Sequence, residues 1–266
     1  GDEGDDQPDQ QLASVEVTSD HAFGELAGVP MAGLYAGMLP LVVYALFGSS
    51  RQLIIGPDAS VSFGKYVQVL PNGNIVVTDP DYSPRFTPQI GAVHLYNGRT
   101  LAKISSLYGA TPGDQIGSGG VVVVGGSNFV VSSPLWSDGT NVHAGAATWI
   151  NGATGLDGEI TPRNSLVGGT ADDYVSNQPT IVLSNGNYLV RTDHWYRPGV
   201  GHVGAVTWGN GATGINDFVS ASNSLVGGAG GDGVGFSPSG YQAVVALTNG
   251  NYVVGSEGWD NPVGGI

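Results

Sequence analysis

The chain has 266 residues, with 45 glycines, no cysteine, 8 lysines and arginines and 22 acidic residues, which gives a formal net charge of −14. The lack of cysteine excludes disulfide scaffolds, thiolate metal centres and cysteine nucleophiles. So few basic residues also argue against a nucleic-acid partner, and the length allows one large domain or two small ones.

Residues 1–21 form an acidic segment without any lysine or arginine, and the first basic residue of the chain is Arg51. A run of like charges with interspersed Pro and Gln buries too little apolar surface to offset the entropy of ordering it. We therefore expect a solvated, disordered tail. We expect no signal peptide in it, because it has no basic region followed by an apolar core.

Residues 22–62 form an apolar block that differs from the rest of the chain. No charged residue occurs between Leu26 and Ser50. This stretch reaches the roughly 20 residues needed to span a bilayer core. Pro30 and Pro40 lie inside it and argue against one straight helix. We expect membrane association only if this block inserts.

Three motifs in this block, GLY at 33–35, YALFGSSRQL at 44–53 and GPDASVS at 56–62, resemble the SulP anion transporter family. The resemblance implies a half-helix whose N-terminus faces an anion, with Ala59, Ser60 and Ser62 near that anion. The family is built from many membrane spans, whereas this chain has one such block. A fragment of a SulP-type transporter is therefore one alternative for its function.

Residues 63–266 repeat themselves. AGAATW at 144–149 returns as VGAVTW at 203–208, and NSLVGG at 164–169 returns at 223–228. We divide the region into the units 63–109, 113–169, 172–228 and an incomplete 231–266, which is roughly 3.6 repeats of about 57 residues. Such self-similarity at a fixed period is typical of repeat architectures.

Each unit contains short β-branched and aromatic runs separated by Asn-Gly turns, which predicts antiparallel strands joined by hairpins. Four short strands in each repeat of this length are typical of a β-propeller blade. We therefore predict an all-β fold, a β-propeller of four-stranded blades that is open or completed by oligomerisation.

The blades carry Phe63-Gly64 before a strand, the hairpin motif NGNYVV at 249–254 and a closing Gly-Ala-Val. These motifs resemble FG-GAP-type propeller repeats and the repeats of filamentous-haemagglutinin-like bacterial surface proteins. The resemblance implies a secreted or cell-surface propeller. The D-x-D-x-D-G calcium loop that often accompanies such repeats is absent from the sequence, so we expect no bound calcium.

Aromatic residues occupy the same position in every unit and are candidate ligand-binding residues: Tyr82, Trp136, Trp195 and Trp259. Rings at one loop of each blade could stack on sugars and form a lectin-like surface. The alternative is that they pack between neighbouring blades.

Two further sets of repeat-equivalent residues are weak candidates for a metal site. His143 and His202 each stand two residues before the Gly-Ala of a strand, where the first unit has Gln89. They could form a ring of imidazoles, or each could be a strand-edge residue that is hydrogen-bonded to a loop. The other set is the aspartates, which could line an axial cation site or cap turns through their own backbone: Asp114, Asp173 and Asp232.

The repeats show no unique constellation of polar residues of the kind that an enzyme needs. We therefore expect a non-enzymatic, extracellular or cell-surface module without a cofactor, used for adhesion or structural assembly. Its partner would be itself, through ring completion or a filament, or a cell-surface glycan or protein. A glycan-binding propeller and the transporter fragment are the alternatives.

Overall fold

The computed structural model describes residues 62–84, 87–239 and 242–259, and all regular elements in these ranges are β-strands. The predicted all-β class is therefore confirmed for this part of the chain. It contains no helix of the length and hydropathy that a membrane crossing requires. The predicted tail at 1–21, the apolar block up to residue 61, and Ala59 and Ser60 lie outside the described residues.

The strands form four repeats. The connection that follows the last strand of a repeat, such as 109–119 or 168–180, is counted with that repeat, so these boundaries differ from those of the units 113–169 and 172–228. The first contains β1 (Val67–Val69), β2 (Ile75–Asp79), β3 (Ala92–Tyr96) and β4 (Lys103–Tyr108). The second contains β5 (Gly120–Val124), β6 (Asn128–Ser133), β7 (Ala146–Ile150), β8 (Gly158–Glu159) and β9 (Leu166–Val167). The third contains β10 (Ile181–Val182), β11 (Tyr188–Thr192), β12 (Tyr196–Arg197), β13 (Gly201–His202), β14 (Ala205–Gly209), β15 (Asp217–Phe218) and β16 (Ser224–Val226). The fourth contains β17 (Val244–Ala246) and β18 (Tyr252–Val254).

Within the first three repeats the four main strands pair antiparallel in chain order, as in β1-β2-β3-β4. The hairpin between the first two strands uses the predicted Asn-Gly turn in the first and third repeats, and the second repeat has Gly125-Gly126 there. In the first repeat Leu70 donates its N–H to the carbonyl of Asn74 at 2.8 Å, and Gly73 has a φ of 84°. Glycine suits this position because side chains rarely tolerate the left-handed backbone region.

Neighbouring sheets are joined by short strands that reach backwards. β8 belongs to the second repeat but pairs in parallel with β4 of the first, and β15 of the third repeat pairs in the same way with β9 of the second. The Asp157 carboxylate adds a contact by accepting the N–H of Ser106 at 2.8 Å. The second and third repeats therefore each extend the sheet of the repeat before them.

The sheets stack face to face, and alternate residues of the second strand point to opposite neighbours. On β6, Phe129 and Val131 pack into the core shared with the first repeat, whereas Val130 packs into the core shared with the third. On β11, Leu189 packs into the core shared with the fourth repeat. We call the two sides of each sheet its incoming face, toward the preceding repeat, and its outgoing face, toward the following repeat.

The outgoing face of the fourth repeat is exposed in the part of the chain that the structure describes. Val253 is 55% exposed, whereas its equivalents on the outgoing faces of the other repeats are fully buried: Val76, Val130 and Leu189. Leu247 is 38% exposed, whereas its equivalents are also buried: Leu70, Val124 and Leu183. Strand pairing among the described residues does not join the fourth repeat to the first. The fold is therefore a series of repeated antiparallel sheets, without a closed ring in the part described.

Candidate functional site

Five partly exposed rings follow one another across the second and third repeats. His143 stacks on Tyr174 with ring centroids 5.3 Å apart, and Tyr174 meets His194 edge to face at 5.7 Å. His194 is 6.2 Å from His202, which in turn lies 5.5 Å from Tyr196. We call these five residues the histidine–tyrosine ribbon.

The repeat scaffold itself brings the first two rings together. His143 lies just before β7, and Tyr174 lies in the connection that follows β9. The N–H of Tyr174 donates to the carbonyl of His143 at 3.0 Å, and the equivalent bond of the first repeat joins Gln115 to Gln89 at the same distance. The backbone contact is thus shared by the first two repeats, whereas the two rings occur together in the second repeat.

Residues of this connection adopt backbone conformations that usually require glycine. Asp172, Tyr174 and Ser176 have φ angles of 60°, 50° and 64°. The first and third repeats have glycine at most of the equivalent positions: Gly113, Gly117, Gly231, Gly233 and Gly235. Left-handed non-glycine residues are strained and concentrate at functional sites, so this cluster marks the ribbon as a candidate site.

The three histidines of the ribbon use the same ring atom for their hydrogen bonds. Nδ1 of His143 lies 3.1 Å from the Asp172 carboxylate and 3.1 Å from the Tyr174 hydroxyl. Nδ1 of His202 lies 2.6 Å from the carbonyl of His194, and Nδ1 of His194 lies 2.9 Å from the Asp193 carboxylate. No hydrogen bond among the described residues involves Nε2 of these rings, so their outer nitrogens can bond a ligand.

The charges of the ribbon are those of a polar, acidic surface. Hydrogen bonds from His143 and Tyr174 lower the pKa of Asp172, so this exposed carboxyl is ionised at neutral pH. Desolvation, followed by the nearby Asp172 carboxylate, raises the pKa of Tyr174, which keeps its hydroxyl protonated. The site therefore presents imidazole, phenol and carboxylate groups together.

The half-buried side-chain amide of Asn177 contacts the ribbon at His194. Nδ2 of Asn177 donates to Asp193 and lies 3.0 Å from Nδ1 of His194, while Gln178 donates to the other oxygen of Asp193 at 2.9 Å. Oδ1 of Asn177 is buried, and no described group donates to it. These contacts fix the orientation of His194.

His143 and His202, which the sequence singled out, both belong to the ribbon, although they do not touch each other directly. Tyr174 and His194 lie between them. Across the described ranges, no three His, Asp or Glu side chains are grouped closely enough to hold a metal ion. The two histidines therefore lie on the same surface but do not belong to one group of metal ligands.

The repeated aspartates are buried and bind backbone. Oδ2 of Asp173 accepts the N–H groups of Gly169 and Thr170 at 2.9 and 2.8 Å, and Oδ1 accepts that of Tyr196 at 2.8 Å. Asp114 accepts N–H groups from Ala110 and Thr111 in the same pattern and that of Ser137 in the next repeat at 3.0 Å, and Asp232 accepts those of Gly228 and Ala229. This is the turn-capping alternative, extended to a clamp between repeats.

Burial raises the pKa of the Asp114 carboxyl. Three backbone N–H donors lower this pKa, and the nearby negative charge of Glu159 raises it further. Neither Asp114 nor Asp173 forms an ion pair with a basic side chain in the described structure. Their charge is stabilised by N–H dipoles instead, which leaves few lone pairs for a cation.

Trp136 and Trp195 lie inside the cores between repeats, so their rings are not available at the surface. Trp259, by contrast, is 51% exposed. Tyr82 is partly buried and packs against Tyr108 and His94, with ring centroids 5.5 and 6.4 Å apart. The four equivalent aromatics therefore do not form one continuous surface.

Ser62 is the described member of the three residues that the transporter resemblance placed near an anion. Its hydroxyl lies 3.2 Å from the carboxylate of Asp79 and accepts the N–H of Asp81 at 2.8 Å. It thus caps the end of β2 beside a buried acidic group, in surroundings that favour a hydrogen-bond donor over an anion.

Sequence reasoning missed Tyr174, His194, Tyr196 and Asp172. For Asp172 and Tyr174 a signal was available in the aligned connections, where GDQIG at 113–117 and GDGVG at 231–235 correspond to DDYVS at 172–176. That alignment does not include His194 and Tyr196. Loss of glycine from a position that needs a left-handed backbone is informative once the repeats are aligned.

Residues 11–83 match the sulfate permease family. The similar proteins include sulfate transporter 4.1 of Arabidopsis thaliana, 57% identical over 42 residues, which cover 15% of this chain and 6% of the transporter. Low affinity sulfate transporter 3 of Stylosanthes hamata is 40% identical over 74 residues, or 27% of this chain and 11% of that protein. Prestin of Tursiops truncatus is 39% identical over 59 residues, covering 21% and 8%.

This chain therefore covers only a small part of these transporters, and the likeness is confined to a segment near its beginning. The final residues of the family match, from 69 to 83, also belong to the repeat match described next. In the structure they form the end of β1, the first Asn-Gly hairpin and β2.

A second family matches four segments that follow the structural repeats. It is described as a repeat of unknown function (DUF5650), and it covers residues 69–118, 123–177, 182–236 and 246–264. These segments make up more than half of the chain. No likeness to FG-GAP repeats was found among these family matches. The chain therefore belongs to the DUF5650 repeat family.

Proposed function

We propose that this chain is a non-enzymatic structural module that assembles with a second copy of itself through the outgoing face of its fourth repeat. The observation that carries the proposal is the exposure of Val245, Leu247 and Val253 on one side of β17 and β18. Large exposed apolar patches mark interaction sites in soluble proteins.

The argument rests on continuity with the contacts between the repeats. Val245 and Val253 face each other across the β17–β18 pair, as Ile181 and Leu189 do across β10–β11. In the third repeat this pair packs against the fourth repeat, with Tyr252 and Val254 supplying part of the cover. The exposed surface thus has the chemistry of a surface that binds another sheet of this type.

A second copy of the chain supplies such sheets in any purified sample. Burying three aliphatic side chains stabilises an association by about 2 kcal/mol each at most, which is partly offset by the entropy lost on binding. We therefore expect a weak, concentration-dependent self-association.

The test is light scattering after size-exclusion chromatography over a wide range of protein concentrations. The Val253→Asp variant should be monomeric at concentrations at which the unaltered chain associates. Val142→Asp is the matched control, because Val142 is also 55% exposed but lies in the loop before β7, away from β17 and β18.

Self-association that Val253→Asp removes and Val142→Asp retains supports the proposal. A chain that stays monomeric at every concentration overturns it. Equal effects of the two substitutions would also contradict it, because they would show that association does not use the outgoing face.

We further propose that the stacked sheets are β-propeller blades of a secreted or cell-surface module for adhesion, of the FG-GAP-like or filamentous-haemagglutinin-like kind. The four main antiparallel strands in each of the first three repeats, with apolar cores between neighbouring sheets, support this arrangement. An electron cryomicroscopy or crystal structure of the assembled particle tests it: blades that share one central axis are expected, and a straight stack of sheets would exclude a propeller.

A second candidate function is favoured by the sulfate permease match at residues 11–83. We propose for this segment a membrane association related to the SulP transporters, of which the chain would carry a fragment. Flotation of the full chain with phosphatidylcholine vesicles is the test. Protein that rises with the vesicles supports the candidate, and protein that stays in the dense fraction excludes it.

A further inference from the structure

We propose that the histidine–tyrosine ribbon, formed by His143, Tyr174, His194, His202 and Tyr196, binds a neutral carbohydrate chain. This site differs from the assembly surface of the fourth repeat, and its ligand is independent of self-association.

The first support is the form of the surface. Each ring contacts the next, with neighbouring centroids between 5.3 and 6.2 Å apart; His143 and Tyr174 are stacked, and the other three contacts are edge to face. The His143 and His194 side chains are 38% and 55% exposed. Aromatic rings offer flat apolar area on which the C–H face of a sugar can pack, while their polar tips stay in water.

The second support is the set of hydrogen-bonding groups along the rim of the row. Nε2 of each histidine has no bond to a described residue, because Nδ1 makes the contacts that orient the ring. The Asp172 side chain is 57% exposed and ionised at neutral pH, and hydrogen bonds from His143 and Tyr174 lower its pKa below the ordinary value. Sugar hydroxyls both donate and accept, so they can bond to carboxylates and imidazole nitrogens alike.

The third support is electrostatic and concerns the charge of the ligand. Among the described residues, no lysine or arginine forms an ion pair with Asp172 or Asp193 or lies over a ring of the ribbon. The formal net charge of the chain is −14. An anionic polysaccharide would be repelled, which leaves a neutral chain as the fitting carbohydrate.

The fourth support is the strained backbone that displays the ring of Tyr174. Its φ of 50° is one that glycine adopts at the equivalent position of the third repeat, where Gly233 has a φ of 58°. A tyrosine at such a position is held there by the surrounding structure, and strain of this kind concentrates at ligand sites. The same equivalence supplies a variant that removes the ring and relieves the backbone.

The experiment is isothermal titration of the full chain with cellohexaose, chitohexaose and maltohexaose, and with a heparin hexasaccharide and Zn²⁺ as the anionic and metal probes. We expect at least one neutral hexasaccharide to bind, and Tyr174→Gly and His194→Ala each to weaken it by tenfold or more. Gln115→Gly makes the same kind of change at the equivalent position of the first repeat and should leave binding unchanged.

Circular dichroism of each variant keeps a loss of binding distinct from a loss of fold, and Tyr174→Gly is the variant most compatible with folding. The proposal is overturned when no neutral hexasaccharide binds, when only heparin or Zn²⁺ binds, or when Tyr174→Gly binds as tightly as the unaltered chain. None of these results bears on self-association through Val253, which is measured separately.

Discussion

The carboxylate of Asp173, in the second repeat, accepts the backbone N–H of Tyr196, in the third, at 2.8 Å. Tyr196 directly follows the buried Trp195, so one hydrogen bond ties a turn of one sheet to the segment that covers its neighbour. The equivalent bond between Asp114 and Ser137 measures 3.0 Å and follows the buried Trp136. The clamp is therefore a repeated feature of the fold.

Asp173→Ala should lower the free energy of unfolding by about 3 kcal/mol, because it leaves three backbone N–H groups without their charged acceptor. Denaturation in urea, followed by circular dichroism, measures the change. Asp138→Ala is the control, since Asp138 is exposed and accepts hydrogen bonds only from Thr140 and Asn141 in its own turn: their backbone N–H groups and Nδ2 of Asn141. The free energy of unfolding should fall by about 1 kcal/mol or less in this variant. Equal decreases for the two variants would contradict the clamp.

The stability of the first repeat should depend on pH through His94. Burial, followed by the nearby positive charge of Lys103, lowers the pKa of His94 to about 4 in the folded chain. The unfolded chain binds a proton near the ordinary value of about 6.5. Between these values only the unfolded state gains a proton, so the stability is complete above the upper value and falls as the pH drops toward the lower one, by about 3 kcal/mol in total.

His94→Thr tests this expectation with a residue that the fold already uses. Nδ1 of His94 lies 2.8 Å from the hydroxyl of Ser106, and at the equivalent position of the second repeat Thr148 makes a 2.8 Å contact with Ser165. The variant loses buried aromatic contacts at every pH, but its unfolding free energy should vary less between pH 6.5 and 4 than that of the unaltered chain. If urea denaturation gives the same pH dependence of the unfolding free energy for the variant and the unaltered chain, another group is responsible.

Gly145→Ala should be far more damaging than Gly139→Ala, although both glycines have left-handed backbones, with φ angles of 75° and 89°. A Cβ at position 145 would lie 2.2 Å from the backbone nitrogen of Val175, whereas position 139 has no atom within 4 Å. We expect losses of about 3 kcal/mol or more and about 1 kcal/mol respectively. Thermal unfolding of the two variants measures them, and similar values would argue against the close approach of these backbones.

Tyr174→Gly should change the free energy of unfolding by less than about 1 kcal/mol, because relief of the left-handed tyrosine offsets the greater freedom of glycine in the unfolded chain. Tyr188→Ala is the contrasting variant. Tyr188 is buried in the core between the second and third repeats, and its loss should destabilise the chain by about 3 to 5 kcal/mol. A large loss for Tyr174→Gly in urea denaturation would assign Tyr174 a structural role.

The sequence alone determined the local structure of the repeats. Hydrophobic alternation and Asn-Gly turns are short-range signals, so the strands and the hairpin at Gly73 follow from neighbouring residues. The recurrence of Asp173 and its equivalents was also visible, as was the alternative that they cap turns. For each of these features the deciding interactions lie within a few residues along the chain.

Only the tertiary structure decided which of these residues are buried and which meet. Trp195 and Trp259 occupy the same place in the repeat, yet one is buried and the other is 51% exposed, because exposure depends on what packs against each sheet. Tyr174 and His194 come together from separate repeats. Val253 is 55% exposed whereas its equivalent Leu189 is buried, because another sheet packs against Leu189. Such contacts join residues that are distant in the chain, and no local pattern encodes them.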